Sequence, residues 1–260
     1  MDGITLKNPK PELFPCSSFQ GNNSKIPMFR YFVLLFLAGI LTSGAQVQQE
    51  FILVSGGPSL EEWEKYKAEP HDRWWGNFVR AARVRIQELQ KQKGPNAMIT
   101  WLVYKPAYVR RGQRQDKSDI IGNITSVRDK YGVNLIWFES SNELVGYLNN
   151  GKPRDRVKIA NLEYYGHSNR AAWMFDYSNL IDSGSKCWLH ETELKSIRRG
   201  IFDRKAFIKS WSCHTGESMS KFWRRATGKR MIGAIGKTDY SNGHLRNWTP
   251  ILSPKGRWGG

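Results

Sequence analysis

Six short apolar runs punctuate the chain at 51–54, 97–104, 133–138, 157–165, 206–211 and 231–236, most of them followed at once by glycine, proline or a polar turn. They are too short to be core helices and are apolar along both faces, as strands buried on two sides must be. Between several of them the apolar residues recur every three or four positions instead. Trp75, Phe78, Val79, Ala82, Ile86 and Leu89 form one such stripe, and Ile120, Ile121, Ile124 and Val127 another. That periodicity belongs to helices with one face on a core. Strand and helix in alternation imply a mostly parallel sheet, because parallel neighbours need a long crossover. The expected fold is α/β: a three-layer sandwich with a mostly parallel six-stranded sheet and helices on both faces.

Local signals place the helices. Ser59 and Glu62 form a capping box that opens a helix at Leu60, and Pro70 breaks it. The helical pattern resumes over 74–92 and stops at Gly94-Pro95, while Asp119 caps a helix that Gly132 ends. A short helix over 141–148 meets Asn149-Asn150-Gly151. Residues 106–117, with Arg110, Arg111 and Arg114, read as a polar loop, a substrate-side lid or an anion patch. Residues 170–185 suggest a hairpin excursion, 188–199 a helix, and the tail from Arg246 irregular structure. His71 and Trp74-Trp75 fit either a site lining or aromatic packing.

The amino-terminal region follows other rules. Arg30 precedes an apolar core at 31–41 and a small-residue stretch, Thr42-Ser-Gly-Ala45. This is the layout of a secretory signal peptide over 28–45, and its core falls short of the ~20 residues of a membrane span. An uncleaved anchor or a hydrophobic strand are the alternatives. Residues 1–27 read as a spurious or unstructured extension with Met28 as the start. Residues 46–260 then form a single domain, exported to a periplasmic or extracellular location.

Lys7, Lys10, Lys25 and Arg30 are the basic residues before position 46 and Asp2 and Glu12 the acidic ones, so of the formal charge of +17 the remainder keeps +15. Such a surface attracts polyanions non-specifically. No basic run is long, acids are interspersed, and specific nucleic-acid recognition is not expected. The Gly-rich turn at Ser55-Gly-Gly57 matches neither GxGxxG nor GxxxxGK, which argues against nucleotide binding. Cys187 and Cys213 permit one disulfide or a redox pair, and neither neighbourhood has metal-ligand spacing. No metal or cofactor is implied.

Chemistry concentrates at two strand ends. The run 206–211 leads into Ser212-Cys213-His214-Thr215-Gly216 and then a helix over 217–226, and the run 157–165 leads into Gly166-His167-Ser168. A cysteine between a strand end and a helix amino terminus sits where ligands bind in open α/β sheets. If the two strands are parallel neighbours, His167 is delivered as a base to Cys213 as a nucleophile. The backbone N–H of Cys213 and that of Gly166 or Ser168 are candidate oxyanion donors. Glu163 is a candidate to orient the histidine. His71, His190, His214 and His244 compete for the role of base.

These two motifs resemble the caspase/legumain/clostripain-like superfamily of cysteine peptidases. Ser212-Cys213-His214-Thr215-Gly216 is similar to the Ala-Cys-x-Thr/Ser-Gly form of its legumain-type and bacterial members, and the histidine lies roughly 50 residues before the cysteine. The glycine precedes the histidine here, where the family usually has it after, and the Q-A-C-x-G string is absent. The resemblance implies a peptide or protein substrate, Cys213 as nucleophile and His167 as general base and acid. It also implies that Asp239, beyond the following strand, selects a basic side chain at the cleavage site. The rival expectation is a catalytically inactive α/β domain that binds an acidic partner through its basic surface.

Overall fold

The computed structural model describes residues 47–60, 74–178 and 186–260. The expected leader, the extension before it, His71 and most of the helix expected from Leu60 lie outside the described residues. Residues from Ala45 onward form one compact unit. Among the described residues no helix is long and apolar enough to cross a membrane.

The centre is a parallel sheet of five strands: β1 (Gln48–Ser55), β2 (Met98–Tyr104), β3 (Asn134–Phe138), β4 (Val157–Tyr165) and, counted in chain order, β8 (Phe202–Ser210). Their spatial order is β3-β2-β1-β4-β8. The chain builds outward from β1 to β3, then crosses back over to place β4 on the other side of β1. The order of strand addition therefore reverses between β1 and β4. Ligand crevices in open α/β sheets form outside the carboxyl ends of strands at such a point.

Alternate residues of each strand enter two separate cores, as the two-residue period of a strand demands. Ile52, Val54, Leu102, Tyr104, Leu162 and Tyr164 face one side. There they meet α4 (Ser141–Asn150) and α5 (Met219–Thr227), through Leu144, Leu148, Met219 and Trp223. Phe51, Leu53, Trp101, Val103 and Tyr165 face the other. There they meet α1 (Asn77–Lys93) and α3 (Ile120–Tyr131), through Phe78, Ala82, Ile86 and Ile124. Helices flank the parallel sheet on both faces, compatible with a three-layer sandwich. The cap and stop signals of α3 hold: the Asp119 carboxylate accepts the Gly122 N–H at 2.8 Å, and Gly132 takes the left-handed conformation.

Tertiary contacts overrode four local expectations. The sixth run supplies no sixth sheet strand. Ile232 is tied to β8 by one parallel bridge and two backbone hydrogen bonds. The chain then turns away as β9 (Gly233–Ile235) and pairs antiparallel with β12 (Arg257–Gly259). The tail is accordingly ordered, and β10 (Thr238–Asp239) pairs with β11 (Ile251–Leu252). The expected loop at 106–117 is α2 (Lys105–Arg111) followed by a π-helical turn over Gly112–Asp116. Two of its arginines are structural: Arg110 pairs with Asp176 at 2.6 Å, and buried Arg111 with Asp116 at 2.5 Å. The helix expected over 188–199 is β7 (Trp188–His190) plus two 3-10 turns. β7 is drawn into a sheet with β5 (His167–Ser168) and β6 (Ala172–Met174), so pairing with Ala172, Trp173 and Met174 outweighs helical periodicity. Part of the hairpin expected over 170–185 lies outside the described residues, but β5 and β6 pair antiparallel as a hairpin does.

Candidate functional site

β4 and β8 are parallel neighbours in register, Tyr164 opposite Ser210. Two residues past the end of β4 stands His167, and three past the end of β8 stands Cys213. The two segments are tied directly: the Ser168 hydroxyl donates to the Cys213 carbonyl at 2.5 Å, and the Trp211 N–H to the Tyr164 carbonyl at 2.8 Å. Both residues are partly exposed on the carboxyl-end rim of the sheet.

Gly166 shapes the histidine side. A Cβ there would lie 2.3 Å from the Tyr164 hydroxyl oxygen, with the ring just behind. That hydroxyl donates to the carbonyls of His167 at 2.8 Å and Met174 at 3.1 Å, pinning β5 across the end of β4. The glycine before the histidine is thus required by a tyrosine packed beneath it. The His167 ring meets Phe78 edge-to-face at 5.1 Å and lies 4.8 Å from the Tyr177 ring. Phe78 also meets Tyr240 edge-to-face, and the Tyr240 hydroxyl donates to the Trp211 carbonyl at 2.9 Å. Aromatic contacts of this kind fix the position of a ring.

The cysteine side is a loop held by backbone. The N–H groups of His214 and Gly216 donate to the carbonyls of Gly236 and Ala234, both at 2.8 Å. Gly216 and Gly233 touch backbone to backbone: a Cβ on the first would lie 2.6 Å from the Gly233 carbonyl oxygen. The glycine of the Cys-x-Thr-Gly string is therefore needed for close approach. Among the described residues no backbone acceptor takes the Cys213 N–H, unlike those of His214 and Gly216. The sulfur rests against Thr238, accepting its N–H at 3.4 Å with its hydroxyl at 3.5 Å. The thiol also reaches the Thr238 carbonyl, as donor, at 3.7 Å.

The other candidates separate cleanly. His214 has a left-handed backbone, φ 62°, and its Nδ1 lies 2.6 Å from Glu217, whose carboxylate also accepts the Gly236 N–H at 3.1 Å. The hydrogen bond from His214 holds the Glu217 carboxyl below the usual range. His214 thus braces the loop. His190 is engaged with Thr192 in its own turn, and His244 lies beside Trp248. Glu163 does not orient His167. It faces the α1 side of the sheet, as the His167 ring does, but is fully buried and already engaged: it accepts from Arg85 at 2.6 Å, Trp211 Nε1 at 2.7 Å and Tyr165 at 3.1 Å. Asp239 accepts the N–H and hydroxyl of Ser241 at 2.7 and 2.6 Å and lies 3.8 Å from Arg246. A basic substrate side chain would compete with Arg246 for it.

No disulfide joins Cys187 and Cys213. The Cys187 sulfur lies near the Glu139 carbonyl, just past β3, whereas Cys213 follows β8 at the other edge of the sheet. Burial pushes the Cys187 thiol up. Among the described residues no group of His, Cys, Asp and Glu is arranged to hold a metal ion. Sequence reasoning missed Phe78, Tyr177, Thr238 and the Ser168 hydroxyl. Only Phe78 carried a signal, as the first large residue of a helix entering the carboxyl-end rim. No family model, curated protein or solved structure matches the chain.

Proposed function

We propose that the chain is an exported, caspase-like cysteine endopeptidase acting through Cys213 and His167. The observation that carries this reading is the meeting of two distant motifs on one rim, with Ser168 bonded to the backbone of Cys213. In the reaction His167 takes the thiol proton and the sulfur attacks the peptide carbonyl carbon. The resulting oxyanion is received by the Cys213 N–H, with Gly166 or Ser168 as the second donor. Collapse breaks the C–N bond, the leaving amine takes the proton from His167, and a thioester remains. His167 then deprotonates a water molecule, which attacks the thioester and releases the acid and the thiol.

The test is labelling with a peptidyl acyloxymethylketone together with hydrolysis of peptide substrates. Labelling is expected to vanish in Cys213→Ala, and hydrolysis to fall by about 10²–10⁴ in His167→Ala, the usual worth of a positioned base. Hydrolysis that persists in Cys213→Ala sinks the proposal.

A second reading has its own observation. Arg199, Lys221, Arg224 and Arg225 line one shallow groove at the carboxyl end of α5. They supply a surface for an acidic partner, in keeping with an inactive binding domain. Binding to heparin that falls steeply with salt and ignores Cys213→Ala, with no peptide hydrolysis, would favour it.

A further inference from the structure

A second cleft lies on the α1 face of the sheet, behind the rim. It has a volume of about 250 Å³ and is walled by Val84 and Arg85 of α1, Glu163 of β4, Phe207 and Lys209 of β8, and Trp248. β8 is an edge strand that, among the described residues, no helix covers on this side: α1 packs over β1 and β4 and leaves Phe207 39% exposed.

Two cations, Arg85 and Lys209, and two carboxylates, Glu88 and Glu163, line the cleft, and they are not paired one to one. Arg85 is shared by two carboxylates, Glu163 at 2.6 Å and Glu88 at 2.9 Å. Both oxygens of Glu163 are occupied, one by Arg85 and the other by Trp211 and Tyr165. Lys209 is left over: among the described residues no carboxylate lies within ion-pair distance of it. Its ammonium sits between two indole faces, 3.2 Å from the Trp211 ring centroid and 3.9 Å from that of Trp258. Indole faces attract a cation and hold it in place without cancelling its charge. Burial pushes the amine down to about 8, with Glu163 opposing and Arg85 adding to the shift. A half-buried cation held by ring faces and outside ion-pair distance of any described carboxylate, beside apolar walls, is complementary to an anion on an apolar body.

We infer that this cleft binds a small carboxylate carried on a flat apolar or aromatic body, its charge paired with Lys209 and its body against Phe207 and Trp248. The volume is below the 300–1,000 Å³ of sites for drug-sized ligands, so the ligand has roughly ten heavy atoms. The site is separate from the cysteine and histidine, but Trp211 links the two. Its ring packs against Lys209, and its carbonyl receives the hydroxyl of Tyr240, which rests on Phe78 beside His167.

The experiment titrates the full chain with 3-phenylpropanoate and with its uncharged amide, followed by calorimetry at neutral pH. The acid is expected to bind at least tenfold more tightly than the amide. Lys209→Met should abolish that preference, and Lys209→Arg should keep it. N-acetylphenylalanine, run alongside, separates two sources: tighter binding than the propanoate supports the aromatic end of a peptide, weaker binding a free acid, and either supports the site. Binding should persist after Cys213 is carboxymethylated, which distinguishes this cleft from the rim. Melting of each variant by circular dichroism establishes that it is folded. Equal affinities for acid and amide, a preference that survives Lys209→Met, or no saturable binding below about 10 mM overturns the inference.

Discussion

Replacing Arg85 by methionine probes the pair at the base of the cleft. The wild-type Glu163 side chain has no solvent exposure, and Arg85 is 20% exposed. Methionine preserves most of the stem and its packing but removes the charge facing the carboxylate. Glu163 keeps two neutral donors, Trp211 and Tyr165, in a place water does not reach. Stranding one partner of a buried pair costs about 3–5 kcal/mol. Lys209 is close enough to compensate in part, so the lower end, about 3 kcal/mol, is expected at neutral pH. The carboxylate can also be relieved by taking up a proton. The folded variant then binds a proton that the unfolded chain has released, so its stability falls as pH rises, by up to about 1.4 kcal/mol per pH unit. The loss should therefore shrink toward acid pH. Urea unfolding followed by circular dichroism between pH 5 and 8 measures both quantities. Arg85→Met/Glu163→Gln should recover much of the loss, because it removes the stranded charge. A loss below about 1 kcal/mol that does not change with pH would refute the account of a compensated buried charge.

Gly216→Ala should displace the cysteine loop, because the new Cβ meets backbone at 2.6 Å; a cost of about 1–3 kcal/mol and slower alkylation of Cys213 are expected. At His214, whose φ is 62°, glycine should be tolerated while valine costs about 1–2 kcal/mol, read from melting curves; equal melting of the two variants contradicts the assigned strain. Amine acylation of Lys209, mapped by mass spectrometry, should reach half its limiting rate near pH 8, against about 10.4 for an ordinary lysine. Since the folded state gives up this proton first, the group's contribution to stability rises with pH across that window, with Arg85, Glu88, Glu163 and Tyr165 facing it. Iodoacetamide at neutral pH should modify Cys213 before Cys187, whose thiol is pushed up by burial; the reverse order in peptide maps contradicts it.

The sequence by itself determined the elements whose signals are local. Alternate strand residues needing two cores, Asp119 capping α3 and Gly132 stopping it are all properties of short segments. So are the two strand-end motifs, since Gly166-His167 and Cys213-x-Thr215-Gly216 are each contiguous. What the sequence could not supply was partnership. Trp188–His190 is a strand because Ala172, Trp173 and Met174 are there to pair with it, and no periodicity within 188–199 records that. The sixth run leaves the sheet because β12, arriving from the far end of the chain, pairs with it after a single bridge to β8. Glu163 does not serve His167 because its charge is answered by Arg85 on a helix 78 residues away in sequence. Thr238 meets the sulfur, and Lys209 lies between Trp211 and Trp258, for the same reason. Backbone preference and apolar period act over a few residues and can be read in order. Hydrogen-bond pairing, charge compensation and ring packing act through space, and only the folded chain selects which distant residues share them.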